Sequence, residues 1–320
     1  MTAVRAIRAV TARELYGYAS SPVAYVFIVI FLVVISGFTW TVSSFFEERL
    51  AVLHGFFNWH PWLYMLLVPA IGMRLWSEER RSGTMELLFT MPIAPWHAIV
   101  GKYLAGCVIL GLALGLTFPM WITVNYLGDP DNGVILAGYL GSLLTAWSFL
   151  AISSVTSAMT RNQVISFVLS FMVCMLLNLA GFPPVTELFR RGEPLKVLAV
   201  ALVSYVVIWA LLAAFIGVLG RGVRSLAAAI GTWSVGLLLA IASALLFIIF
   251  LIYGTQFIEG MMDTTTPAVV VRAVAGFGVI PHFEEMSRGK IELRSLVYFA
   301  SLIGFCLFST AVILQNRRAS

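Results

Sequence analysis

Charge is what this sequence has least of. Only 11% of its 320 residues are charged, 60% are hydrophobic, and the mean hydropathy is +0.96. A soluble domain carries about 25% charged residues, so a water-soluble globular protein is excluded. Cysteine is scarce as well. Cys107, Cys174 and Cys306 fall in apolar stretches with no CxxC or paired spacing, a pattern of small core or lipid-facing residues rather than of disulfides or a thiolate metal site. The four histidines, His54, His60, His97 and His282, lie in separate connections with no HExxH, so a zinc-protease signature is missing. His282 beside Glu284 and Glu285, or His54 with His60, reads better as head-group or capping contacts than as a metal site. No GxxxxGK[ST] occurs: Gly101-Lys102 lacks the upstream glycine and the following Ser or Thr. The chain therefore has no P-loop and cannot itself be an ATPase.

What is present is apolar sequence in long runs, at about 22–46, 56–76, 97–127, 134–159, 163–182, 195–219, 225–258 and 293–315. A crossing needs roughly 20 apolar residues, which predicts an all-α polytopic membrane protein. Eight spans are expected, or six if two segments between 163 and 258 are re-entrant or interfacial. No room is left for a sizeable soluble domain, so residues 1–320 read as one transmembrane domain. The basic N-terminus is not expected to be a cleaved signal, because the run after Pro22 is long and lacks a small-residue cleavage site.

Within residues 2–20, Val4, Ile7, Ala12, Leu15 and Tyr16 gather near one helical face and Arg5, Arg8 and Arg13 on another. This predicts a helix lying in the membrane interface with its arginines among the head groups. With the N-terminus inside, twelve Lys and Arg fall on the cytoplasmic side and eight outside, so both termini are expected to be cytoplasmic. The cluster Arg190, Arg191 and Lys196 runs against that assignment.

Hydroxyl and amide residues within the spans are few, and they are expected to bond their own backbone or a neighbouring helix. No charged residue sits deep in a span, so nothing suggests an ion relay. Gly111 with Gly115, and Ala137 with Gly141, have the spacing of close helix contacts, within the subunit or between subunits. The segment 259–292 is expected outside. There Asp263-Thr264-Thr265-Thr266-Pro267 has a helix-start pattern, and 268–280 is apolar enough to lie in the interface.

One polar island interrupts the apolar sequence, SEERRSGTMELLFTMPI at 77–93. Glu78, Glu79, Arg80 and Arg81 are too costly to bury in lipid without partners, which puts the stretch in a cytoplasmic loop covering 77–95. Ser82 and Gly83 read as a helix start, and Pro92 and Pro95 as its end, predicting a short helix from Gly83 to Met91. Such a helix is unstable alone and needs a surface to lie on.

The run from Glu79 to Leu88, followed by Met91-Pro92-Ile93 and Gly101-Lys102-Tyr103, resembles the cytoplasmic loop of ABC-2 type transporter permeases. It is most similar to the branch containing gliding-motility and nitrous-oxide-reductase-maturation permeases. SSPVAYVF, GDPDNGVILAGYLGSLL, the Arg161-Asn162-Gln163 turn and HFEEMSRGKIELRSLVYF resemble that branch too. The resemblance covers residues 1 to about 182 and 281–318, and about 190–265 reads as two spans added to a six-span core.

The resemblance implies a permease subunit of a bacterial inner-membrane exporter. It would pair with a second permease copy or paralogue and with two separate ATP-binding subunits that hold ATP and magnesium, and an outer-side accessory protein is a further expected partner. No cofactor is expected in this chain, and no nucleic acid. Glu79, Arg80, Gly83, Thr84, Glu86, Leu87 and Leu88 would then form a coupling element docking on the ATPase, braced by the N-terminal helix. The alternative is a scaffold that passes ATP-driven motion to an outer-side assembly and translocates nothing. The substrate is not legible.

Overall fold

The computed structural model describes residues 3–43, 53–85, 94–183 and 276–316. The expected spans at 195–219 and 225–258, the Asp263–Pro267 helix start and the Arg190, Arg191 and Lys196 cluster lie outside them. Met1–Gly181 with Phe277–Ser320 forms one compact unit, and only its described part is considered below. All regular structure among the described residues is helical.

Helix α1, Ala3–Ser20, is joined at Ser21 to α2, Pro22–Gly37, which ends in a π-helical turn at Phe38–Val42. Three pieces follow: α3 (His54–Asn58), α4 (His60–Gly72) and α5 (Arg74–Ser82). Then come α6 (Pro95–Gly115), α7 (Phe118–Leu127), α8 (Asn132–Met159) and α9 (Gln163–Gly181). Beyond the undescribed stretch lie α10 (Val279–Ser287) and α11 (Leu293–Asn316). Among the described residues, five segments are long and apolar enough to cross a membrane: Ala24–Val42, Pro95–Leu127, Asn132–Met159, Gln163–Gly181 and Leu293–Gln315.

The second expected span, 56–76, is not one helix. It breaks at Trp59 and at Met73, and Pro69 inside α4 removes a backbone donor just before the second break. The span from 97 likewise breaks at Leu116–Thr117, where Pro119 opens α7.

Helix α8 runs through the middle of the unit and touches α4, α5, α6, α9, α10 and α11. Its start is fixed by Asp131, whose Oδ1 accepts hydrogen bonds from Gly133 N–H (2.9 Å) and Val134 N–H (3.4 Å). Its small residues are notches for neighbours. Gly138 receives the Phe57 ring and Gly141 receives Met286 and Phe283, so the Ala137–Gly141 spacing serves packing within the subunit. Gly111 has Leu143 in ordinary contact and Gly115 has nothing near it, so among the described residues that pair makes no close helix approach. All three cysteines are buried and free.

At the end of the bundle remote from α1, Gly181 and Gly278 bring two backbones together where the first turn of α10 meets the end of α9. A Cβ on Gly278 would overlap the Gly181 backbone. Gly278 has φ −71, a conformation any residue adopts, so the demand is spatial only. Gly278→Ala is expected to cost about 1–3 kcal/mol by overpacking, read as a lowered thermal midpoint in detergent. An unshifted midpoint would show that the contact yields. Nearby, His282 stacks on Tyr298 (4.2 Å), and its Nδ1 lies 3.1 Å from Ser295 Oγ, which donates to Glu285 Oε2 at 2.8 Å. These residues fasten α10 to α11. Among the described residues no group of three His, Cys, Asp or Glu is arranged to hold a metal ion.

Candidate functional site

Glu78, Glu79, Arg80 and Arg81 of the polar island sit on α5, which continues α4 past the break at Met73. A helix start leaves N–H groups without partners, and Met73 offers no side-chain cap. The cap comes from α8. Trp76 N–H (2.9 Å) and Ser77 N–H (3.0 Å) both donate to Ser157 Oγ, and Ser157 donates in turn to Met73 O at 2.8 Å. One hydroxyl thus closes both sides of the break. Ser77 Oγ also donates to Met73 O. Gly72 makes the approach possible, since a Cβ there would overlap Ser153. Trp76 Nε1–H donates to Ser154 Oγ at 3.1 Å, and Arg80 Nη1 donates to Ala158 O at 2.6 Å. Five consecutive α8 residues, Ser153 to Ser157, include four hydroxyls, and with Ala158 they form the seat of α5.

The other side of α5 meets α1 and α6 through charge. Lys102, in the second turn of α6, has a side chain only 4% exposed. Its Nζ lies 2.9 Å from Glu79 Oε1 and 3.2 Å from Glu14 Oε1, and 5.3 Å above the Trp76 ring. An ammonium in this position is tolerated only because two carboxylates and an aromatic face surround it. Arg13 completes the group, with Nη2 at 2.6 Å from Glu14 Oε1 and 3.5 Å from Glu79 Oε1. Its hydrogen bond to Glu14 holds the guanidinium above its ordinary pKa. Glu79 Oε2 is buried with no hydrogen-bond partner. The four charges balance and tie α1, α5 and α6 at one point.

Helix α1 lies against α6 through Ala6 and Val10, with Val10 pressed on Gly101 and Thr11 Oγ1 3.1 Å from Gly101 O. The stripe packed on α6 is Ala6 and Val10, while Val4 and Tyr16 of the predicted apolar face stay exposed. Arg5 and Arg8 are exposed with no ion pair among the described residues. A cleft of about 180 Å³ separates α1 from α5, lined by Glu14, Gly17, Tyr18, Ser21, Arg74 and Glu78 among others. There Arg74 Nε donates to Glu78 Oε2 at 2.8 Å and holds that carboxyl below the ordinary range, helped by the charges of Lys102 and Arg81. The folded-state preference from Glu78 is thus present above its unfolded pKa and fades as pH falls.

One expectation is corrected here. Gly83 does not begin a helix: at φ 73 it ends α5 in the left-handed conformation that favours glycine. Arg80 and Arg81 occupy the last turn, where cations suit the helix dipole, and Ser82 Oγ donates to Glu78 O at 2.9 Å. The charged half of the island is therefore helix, not loop. Thr84 is exposed in the following turn and Met85 is helical again. Glu86, Leu87 and Leu88, with the rest of the predicted docking helix to Met91, lie outside the described residues. Of the sequence-selected residues the structure joins Arg13 with Glu79 and hydrogen-bonds Arg80 of α5 to Ala158 O of α8. Glu14, Lys102, Trp76 and Ser157 are additions. A lysine within two turns of the start of an apolar helix was the one signal in the sequence that a partner had to exist.

An all-α chain with five apolar segments of spanning length among the described residues, interrupted by the charged and firmly seated α5, is a multi-pass membrane protein. Residues 63–188 match the family described as ABC-2 family transporter protein, a stretch that takes in α5, its α8 seat and Lys102. The match spans less than half of the chain and supports the ABC-2 permease superfamily. A search of curated proteins returns no match.

Proposed function

We propose that the chain is the membrane-spanning permease subunit of an ABC-2 type transporter, working with a separate ATP-binding subunit and exporting a substrate across a bacterial cytoplasmic membrane. The observation that carries this reading is the family match over 63–188, because it contains the one charged element between two apolar segments. In this reading both termini and α5 face the cytoplasm, two copies or paralogues pair, and two ATPase subunits dock on the residues beyond Gly83. The mechanics follow from the seat of α5. Closure of the ATPases displaces the docking residues; α5 carries the displacement, because it is fastened to α8 by Ser157 and Arg80 and to α1 and α6 by Glu79. Helix α8 touches most of the described bundle and passes the movement across the membrane.

The test replaces Glu86 and Leu88 by alanine in the full chain and measures co-purification of the ATPase encoded with it. Truncating two central contacts of a docking helix is expected to weaken association by about tenfold or more. Undiminished association together with undiminished ATP-driven transport would rule out the docking role.

A further inference from the structure

Beside the α1–α6 contact runs a groove that packing leaves empty. Its volume is about 460 Å³, and its walls are Val4, Ile7, Thr11 and Leu15 of α1 with Leu104 of α6, while Arg8 stands at its mouth. Apart from Thr11 and Arg8 the lining is apolar. Residues 4 to 15 cover about 16 Å of helix, so the groove is long and narrow. Its α6 wall continues as a stripe of exposed residues at helical spacing, Leu104 (41%), Val108 (49%), Leu112 (52%) and Leu116 (47%). That stripe runs about 18 Å along a membrane-spanning segment.

Charge stands on the α1 side of the same groove. Arg8 at the mouth and Arg5 beyond it are exposed and make no ion pair among the described residues, whereas Arg13, nearer the middle of the helix, is taken up by Glu14 and Glu79. The only carboxylate of α1, Glu14, points to Lys102, so the arginines at the mouth face no anion of their own. A cation, an apolar groove and an apolar stripe about 18 Å long, roughly the depth of one bilayer leaflet, together have the polarity of one phospholipid molecule. We propose that the groove between α1 and α6 is a binding site for an anionic phospholipid, its phosphate held by Arg8 and Arg5 and one acyl chain laid along Ile7, Leu15 and Leu104 towards Leu112. The lipid fills the open space beside α1's packed Ala6 and Val10 and keeps α1 seated on Gly101. The site does not depend on whether an ATPase drives the chain.

The experiment uses the full chain in phosphatidylcholine nanodiscs with a trace of photoactivatable lipid carrying its reactive group on the acyl chain. The head group is either phosphatidylglycerol or phosphatidylcholine. Peptide mapping compares labelling of 1–20 and 104–116 with labelling around Phe305 and Phe308 of α11, exposed positions that report ordinary lipid contact. The anionic probe is expected to label the groove peptides about fivefold more than the neutral one, the preference that one well-placed arginine confers. Arg8→Gln should remove most of that preference while labelling near Phe305 stays level. Ala12→Trp, which lays a ring over the groove from an exposed position, should lower groove labelling by both probes. Thermal midpoints of both variants report retained folding. Equal labelling by the two head groups, or labelling insensitive to both variants, overturns the site. Crosslinks between two copies of the chain at Leu104 overturn it in favour of a subunit contact.

Discussion

Lys102→Met is expected to cost the protein about 3–5 kcal/mol, the penalty for removing one partner from a buried ion group. Methionine keeps the length and apolar body of lysine, so the effect isolates the charge. Its loss leaves Glu14 and Glu79, 17–20% exposed, facing each other with only the half-exposed Arg13 between them. Glu79 already has one oxygen without a hydrogen bond, so it has no spare partner to turn to. The readouts are the thermal midpoint in detergent and the rate of proteolysis within α1, which should rise because α1 loses its only buried ionic tie to α6. Adding Glu79→Gln to Lys102→Met should recover a large part of the loss by removing the like-charge contact. The cycle built from both single variants decides the matter: strictly additive costs would mean that the two charges do not interact.

Ser157→Ala should be nearly as damaging for a different reason, at about 2–4 kcal/mol. It leaves the N–H groups of Trp76 and Ser77 unsatisfied in a buried place and takes a donor from Met73 O. The control is Ser153→Ala four residues earlier, whose hydroxyl bonds only its own Phe149 O at 2.8 Å and should change stability by less than about 1 kcal/mol. In the proposed transporter Ser157→Ala should also lower the permease's stimulation of ATP hydrolysis more than it lowers ATPase binding. The fault then lies in transmission and not in docking. Equal midpoints for the two serine variants would show that α5 is capped some other way.

Much of the framework was legible because its signals are local. The spans read from hydropathy as 134–159, 163–182 and 293–315 appear as helices 132–159, 163–181 and 293–316. Helix α1, read from the spacing of its apolar residues, appears at 3–20. The junctions were not legible, because their causes are far away in sequence. Continuous hydropathy over 56–76 concealed a break whose mending hydroxyl lies 84 residues on, at Ser157. Lys102 reads as one more positive-inside residue until Glu14 and Glu79 are seen around it. Gly83 was misread although its context was informative: a glycine just after Arg80 and Arg81 is the usual signature of a helix end. Ser82 drew the reading the other way, since serine is also common at helix starts.

The cap on α5 also bears on the order in which the chain is assembled. During synthesis Trp76 emerges 81 residues ahead of Ser157. A nine-residue helix has little stability in water and, until α8 arrives, has nothing to close its first turn. Residues 74–82 therefore lack that cap while α6, α7 and most of α8 are laid down, with only the Glu79–Lys102 contact to hold them once α6 is made. The seating of α5 is completed only after its framework stands, so a chain stalled or truncated before Ser157 lacks a capped α5.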